Sequence, residues 1–347
     1  MSEPVGGNGP IRIGIIGGGS IARAHLSGYL QAPESVAVTA IADIDPEHAQ
    51  QHADRAGGAR VFLDYREMLA SSLVDAVDIC LPHHLHADAI VAAAEAGKHV
   101  LCEKPLCLTL AEADSVQRAV SDAGITLMCA HNQLFLPPVV AARKLLQEGL
   151  LGTVYQARTT DSFYNDFDPN SMGWRAHKTT SGGGELIDTG YHPTYLLLYL
   201  LDSEPVEVVA MLSSHRLKFM EGEDSADVLV RFADGSIGTL MTSWAYEPAG
   251  STEKFSVVGE TGSMWSDGQA LFHKPRGGNV VQILDPPDHK IETIGLSVLE
   301  FVACLREGRR PIHTEVEGIN VLKVILGAYA SAEEGRTISL KELSGVS

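Results

Sequence analysis

Between Ile11 and His131 short apolar runs recur at regular intervals, and most are apolar at nearly every position instead of at alternate ones. They are IRIGII (11–16), VAVTAIAD (36–43), RVFLD (60–64), AVDICLP (76–82), HVLCEKP (99–105) and ITLMCAH (125–131). A strand apolar on both faces is buried on both, and that requires a parallel sheet covered by helices on each side. The stretches between the runs carry helical periodicity. The last of them opens on Thr109 with Glu112 three residues later, a capping-box spacing, and closes at Gly124. Strand and helix in strict alternation predict a doubly wound parallel sheet over residues 10–131.

After about Leu136 the rhythm changes. A helical segment (Pro137–Glu148) leads into long alternating stretches, VYQARTTDSF, VEVVAMLSSHRL and DVLVRFADGSIGTLMTSW, which predict a large, mostly antiparallel open sheet. Asp234-Gly235 reads as a two-residue hairpin turn in the last of these. Two further helical segments lie near the C-terminus. The chain is thus expected to be α/β, with a second α/β domain over 132–347. No repeat, low-complexity segment or Pro/Ser linker separates the two halves.

Composition narrows the function classes. Over 347 residues, 26 Lys and Arg stand against 44 Asp and Glu, a formal charge of −18. A surface so negative repels phosphate backbones and anionic headgroups, so neither nucleic acid nor a membrane surface is an expected partner. No apolar stretch approaches the roughly 18–20 residues that cross a bilayer. The five cysteines are few, odd in number and partly within apolar runs, which suits reduced thiols. The segment Met1–Pro10 is polar and holds no basic residue, so the expected compartment is the cytoplasm.

The first run is followed directly by Gly17-Gly18-Gly19-Ser20-Ile21-Ala22, a G-x-G-x-x-A turn that opens a helix. Gly17 suits the tight turn, Gly19 lets backbone approach a pyrophosphate, and Ala22 permits close helix–strand packing. The helix N-terminus, from Ser20 and Ile21 onward, offers N–H donors to the anion. The alternative is a glycine turn with no ligand. Asp43 ends the second run, 24 residues after Gly19, where a carboxylate would accept from the adenosine ribose hydroxyls and repel a 2′-phosphate. With no Lys or Arg among Ala42, Ile44 and Asp45, NAD is favoured over NADP. Asp43 as a cap of the next helix is the competing reading, although Asp45 before Pro46 fits that role equally.

Glu103-Lys104-Pro105 closes the fifth run, on the edge where open α/β sheets bind ligands. A lysine shielded from water there can exchange protons at neutral pH, whereas by itself it reads as a salt-bridge partner of Glu103. Far downstream, GGGELIDTGYH places Asp188 and His192 four residues apart, on one face if helical. A carboxylate beside an imidazole orients it as a general base, or the two merely satisfy each other.

Taken together, GGGSIA (17–22), Asp43, LPHHLHAD (81–88), CEKPL (102–106), GWR (173–175) and GGGELIDTGYH (182–192) resemble the Gfo/Idh/MocA oxidoreductases, in family order. The resemblance implies an N-terminal Rossmann domain and a C-terminal domain whose open sheet forms a homodimer or homotetramer interface. It implies NAD contacts from Pro82, His83, His86, Glu103 and Lys104 as well as from the glycine turn. It also implies catalysis by Lys104, Asp188 and His192, the same three meeting the substrate. His83 departs from the pattern, since many members have Asn there. Trp174 and Arg175 are candidate substrate contacts or a loop anchor, and Phe163, Tyr164, Asn165, Asp166 and Asp168 a candidate lid. His83, His84 and His86 with Cys102, Cys107 and Cys129 fit no zinc template, so no metal is expected. Glu221, Glu223 and Asp224 read as a solvated acidic turn.

The expected function is NAD-dependent oxidation of a secondary hydroxyl on a sugar, an inositol-like polyol or a glycoside. Two alternatives come from other classes. One is a glycoside-cleaving enzyme that oxidises the sugar transiently with no net redox change, and the other a non-catalytic NAD-binding sensor.

Overall fold

The structure, a computed structural model, describes Val5, Gly7, residues 9–247 and residues 253–345. Residues 1–4, 6 and 8 of the polar N-terminal segment lie outside that set. The chain divides into two compact units, 1–132 with 292–319, and 133–291 with 320–347.

In the first unit six strands form one parallel sheet: β1 (Ile11–Ile16), β2 (Val36–Ala42), β3 (Arg60–Phe62), β4 (Ala76–Ile79), β5 (His99–Cys102) and β6 (Leu127–Cys129). Their order is β3-β2-β1-β4-β5-β6, so the connections change direction between β1 and β4. Crossovers between successive strands carry α1 (Ser20–Tyr29), α2 (Pro46–Arg55), α3 (Tyr65–Leu69), α4 (His86–Glu95) and α5 (Leu110–Ala123). All four residues of β4 and all three of β6 are buried, which is why these runs lack alternation. Thr109 and Glu112 form the capping box that opens α5, and Gly124 ends it in the left-handed conformation.

The second unit carries α6 (Pro137–Gln147), β7 (Val154–Ser162), α7 (Lys178–Ser181), α8 (Glu185–Asp188), α9 (Tyr191–Leu201), β8 (Pro205–Ser213), β9 (Ser225–Phe232) and β10 (Ile237–Ser243). There follow β11 (Phe255–Gly259), β12 (Gly262–Ser266), β13 (Leu271–Pro275) and β14 (Val281–Leu284). Then come α10 (Thr293–Glu307), α11 (Glu315–Glu334) and β15 (Ile338–Ser339), with α10 in the first unit and residue 320, where the second resumes, inside α11. Nine strands in the order β14-β13-β12-β11-β7-β10-β9-β8-β15 make a sheet that is antiparallel except at β7–β10. Alternation is clean in β9, where Ala226, Val228, Val230 and Phe232 are buried between exposed Asp227, Leu229 and Arg231. Strands β11–β14 are five residues or fewer, too short for alternation to announce them.

Two features differ from the sequence expectation. A single boundary at 131/132 leaves 292–319 in the second domain, yet this segment packs into the first unit. Phe301, Val302 and Leu305 of α10 are buried, and the Arg306 guanidinium donates to the carbonyls of Gly9 and Ser35 at 2.9 and 3.0 Å. The β9–β10 turn holds three residues, 233–235, instead of two. Phe232 N–H donates to the Ser236 carbonyl and Gly235 N–H to the Phe232 carbonyl, both at 3.0 Å, with Gly235 at φ +88°. The left-handed glycine absorbs the extra residue as a bulge.

Candidate active site

In the first unit, Gly17 follows β1 with φ +101°, and a Cβ there would strike the carbonyl oxygen of Cys80 at the end of β4. Only glycine fits this turn. Gly19 is the reverse case, since a Cβ added to it meets nothing within 4 Å. α1 has no side-chain cap and no acidic residue in its first turn, so the N–H groups beginning at Ser20 face that open space. Ala22 is buried against the sheet. This is a cradle of the right chemistry for a dinucleotide pyrophosphate.

Asp43 holds the loop. Its carboxylate accepts from the N–H groups of Gly18 at 2.5 Å and Asp45 at 2.7 Å, while Asp45 caps α2 through the Glu47 and His48 N–H groups. The helix-cap role therefore belongs to Asp45. From the other side the His52 ring donates through Nε2 to the Gly18 carbonyl at 2.9 Å. A cavity of about 600 Å³ beside Gly18, Gly19 and Ser20 is also lined by Arg23, His48, His52 and Arg55. Inspection of Asp43's chain neighbours misses these four. The usable signal is their placement along the two helices that follow β1 and β2.

Lys104 lies half-buried just beyond the carboxyl end of β5, with cis Pro105 after it. The Glu103 carboxylate accepts from the Lys104 backbone N–H and from His25 Nε2, both at 3.0 Å. His25 Nδ1 faces Asp78 at 2.8 Å, and the Tyr29 hydroxyl donates to the same carboxylate at 2.9 Å. Burial alone would lower the His25 pKa, but the charges and hydrogen bonds of Asp78 and Cys80 together outweigh it, and the imidazolium is favoured well above its ordinary range. Burial pushes the Glu103 carboxyl up, and the hydrogen bond and charge of His25 bring it below the usual range. His25, Asp78 and Cys80 are also the described group compact enough to hold a metal, but both His25 nitrogens are engaged by carboxylates.

Pro82 is half-buried, and His83 is buried at the start of a short 3₁₀ turn after β4. His86 is wholly buried and bridges two loops, with Nδ1 2.6 Å from the Pro105 carbonyl and Nε2 2.8 Å from that of Leu81. Its ring thus ties the loop after β4 to the segment after Lys104.

In the second unit, GGGELIDTGYH folds as α8 and α9 separated at Thr189-Gly190, not as one helix. Gly190 N–H reaches back to the Glu185 carbonyl and His192 N–H to that of Thr189, both at 2.9 Å, so the ladder changes step between Asp188 and His192. Asp188 is buried and accepts from Arg175 Nε at 2.9 Å, and the Arg175 guanidinium lies 4.3 Å from the Trp174 ring centre. His192 Nδ1 lies 2.8 Å from the Tyr195 hydroxyl. The Trp174–Arg175 turn is pinned by an apolar cluster, Met172, Leu217, Met220 and Trp244, against which Phe163 and Phe167 pack. The Trp244 indole N–H also donates to Thr189 Oγ1, next to Asp188.

The acidic turn is not solvated as expected: Glu223 is 7% exposed and Asp224 fully buried. Asp224 accepts from the backbone N–H groups of His215, Arg216 and Leu217, and Glu223 from Leu186 N–H and the Tyr329 hydroxyl. The Asp224 donors lie in the loop just upstream and the Leu186 N–H on α8, so charge spacing along the chain does not reveal them. Glu221 alone stays at the surface, beside His177.

Glu185, one turn before Asp188, is wholly buried and hydrogen-bonds Thr242. Burial pushes its carboxyl well up, the Thr242 hydrogen bond opposing and the charges of Glu223, Asp161 and Asp188 adding to the shift. The folded chain therefore keeps a proton that the unfolded chain releases above the ordinary value of 4.5, and stability falls as pH rises beyond it. Glu185→Gln makes the neutral form permanent. Its melting temperature is expected to fall less between pH 5 and 8 than that of the parent, and equal slopes would remove Glu185 from this account.

Comparison with known proteins identifies the fold and its lineage. Residues 11–131 match the model of an oxidoreductase family with an NAD-binding Rossmann fold, and residues 139–265 match the GFO/IDH/MocA C-terminal domain. The chain belongs to the GFO/IDH/MocA family. It is an NAD-binding oxidoreductase. Levoglucosan dehydrogenase of Pseudarthrobacter phenanthrenivorans is 32% identical over 286 residues, 73% of each chain. The 1,5-anhydro-D-fructose reductase of Ensifer adhaerens is 31% identical over 95% of this chain and 98% of its own. Among solved structures, a levoglucosan dehydrogenase in complex with NADH and levoglucosan superposes with a TM-score of 0.86 at 26% identity, covering 95% of this chain and 99% of that one. This GFO/IDH/MocA chain has no described helix long and apolar enough to cross a membrane.

Proposed function

We propose that the protein is a dehydrogenase for a secondary hydroxyl of a sugar, polyol or glycoside, with Lys104, Asp188 and His192 as its catalytic residues. The carrying observation is that each proton-transfer group is held by a hydrogen-bonded partner: Lys104 by the Glu103–His25–Asp78 network, buried Asp188 by Arg175, and His192 by buried Tyr195. The glycine loop with Ser20, Ile21, Ala22 and Asp43 holds NAD, with Pro82, His83 and Glu103 nearby and His86 as the clamp behind them. NAD, when bound, supplies the acceptor for the hydride leaving the carbinol carbon. His192 accepts the hydroxyl proton, and the Lys104 ammonium donates a hydrogen bond to the oxygen as it gains negative charge. Asp188 and Arg175, with Trp174 stacked on the guanidinium, orient the substrate hydroxyls. Relatives named for levoglucosan and 1,5-anhydro-D-fructose support a sugar-derived substrate.

The test is NADH absorbance on mixing protein and NAD⁺ with a panel of anhydrosugars, inositols, aldoses and glycosides, NADP⁺ serving as comparison. A substrate-dependent signal that His192→Ala abolishes is expected. Glycoside cleavage without NADH accumulation would establish the redox-neutral alternative, and NAD binding with no conversion of any compound would favour a sensor.

We further propose a homo-oligomer formed through the outer face of the nine-stranded sheet. Val209, Met211, Leu229 and Val258 are exposed there, Met211 at 80%. Met211→Glu combined with Leu229→Glu is expected to convert a dimer or tetramer to monomers in light scattering, and an unchanged mass would move the interface elsewhere. Five buried, unpaired cysteines support a reducing compartment, the cytoplasm.

A further inference from the structure

Tyr195 is fully buried three residues after His192 on α9, and its ring meets the imidazole edge-on with centroids 5.5 Å apart. Its hydroxyl oxygen accepts from the Gln133 backbone N–H at 3.0 Å and lies 2.8 Å from His192 Nδ1. Gln133 is itself held, its side-chain amide donating to Asp161 at 3.0 Å, and Asp161 pairs with Lys254 at 2.6 Å. The phenol therefore occupies a fixed place set by groups on three segments of the second unit.

We infer that Tyr195 is the positioning residue of His192: it holds Nδ1 in every protonation state, so that proton exchange is carried by Nε2. This rests on the reading of His192 as the proton-transfer group. A carboxylate at Nδ1 could only accept and would bias the ring toward its charged form. A phenol does both. It accepts from Nδ1–H when the imidazole is charged or ready to act as base, and donates to bare Nδ1 when the proton sits on Nε2. In the oxidation the hydroxyl proton moves to Nε2 while Nδ1–H stays hydrogen-bonded to the Tyr195 oxygen, so one proton is transferred and the ring does not turn. The charged groups facing this part of α9 are Asp161 on β7, whose carboxyl His192 helps to hold low, and its partner Lys254.

The test follows His192 directly, through ring ¹⁵N resonances of histidine-labelled protein assigned by their loss in His192→Asn. In Tyr195→Phe the imidazolium loses a charge-assisted hydrogen bond, which costs it more than the neutral ring loses. The His192 midpoint is expected to move down by roughly half a pH unit or more. 3-Fluorotyrosine at position 195 preserves shape and both contacts but accepts more weakly, so its midpoint should fall between the two even if the Phe variant folds poorly. With a substrate in hand, the acid limb of kcat/KM should move with the midpoint, and kcat should drop about tenfold at unchanged NAD affinity. An unmoved midpoint in both variants would reduce Tyr195 to a packing residue. If His192→Asn instead kept full turnover, the reading of His192 would fail, whatever Tyr195 does.

Discussion

Lys104→Met is expected to lower kcat by about 10²- to 10³-fold, the usual effect of removing a preorganised donor to a developing oxyanion. Methionine keeps the length and apolar body of the side chain and deletes only the ammonium. The surrounding structure should persist, because Lys104 is held by its backbone: its N–H is bonded to Glu103, and the next residue's carbonyl to His86. Steady-state kinetics and calorimetric titration with NAD⁺ separate the possible roles. A fall in kcat with NAD affinity kept within about threefold assigns Lys104 to the reacting hydroxyl. A parallel loss of NAD affinity would make it chiefly a cofactor contact, and turnover within a few-fold of the parent would remove it from catalysis.

Gly184→Ala is expected to destabilise the protein by about 3 kcal/mol or more, because the added methyl has no space and backbone cannot yield as a side chain does. A Cβ on Gly184 would land on the backbone of Glu223, whose carbonyl accepts the Glu185 N–H at 2.8 Å. Gly222 meets Gly184 from the opposite side equally closely, so two chain segments cross there with no side chain between them. This crossing leads directly into α8 and fixes Asp188. A melting temperature lower by roughly 5–10 °C should accompany the loss. Gly19→Ala is the informative control, since its Cβ enters open space. That variant should melt like the parent and bind NAD more weakly. If Gly184→Ala melted within a degree or two of the parent, the crossing would be looser than described.

What could be read in advance is what a few neighbouring residues encode. The parallel sheet announced itself because β1, β4, β5 and β6 are buried on both faces, which suppresses alternation. Thr109, Glu112 and Gly124 bounded α5 because caps are local hydrogen-bond rules. Gly17 and Gly19 were legible because a tight turn opening a helix constrains each position separately. In the candidate site, Lys104, Asp188 and His192 stood out by residue type and order, whereas what holds each of them did not.

Some of those holders are close in sequence and others are long-range. Asp188 and His192, four apart in sequence, are placed by a change of helical step at Gly190 and by Arg175 and Tyr195. Glu223 and Asp224 looked solvated because their donors lie off the acidic turn, at 215–217 for Asp224 and at Leu186 and Tyr329 for Glu223. His25 reaches Glu103 across 78 residues, and Arg306 reaches Ser35 across 271. By itself, then, the sequence determined the two architectures and the glycine turn, set by periodicity, caps and backbone sterics within a turn or a strand, and it named the candidate reactive side chains. The tertiary structure alone decided the return of 292–319 to the first unit, the burial of the acidic turn and the hydrogen-bond geometry around each candidate group. A buried polar atom must find a hydrogen bond wherever the fold brings one, and no spacing rule along the chain records where that is.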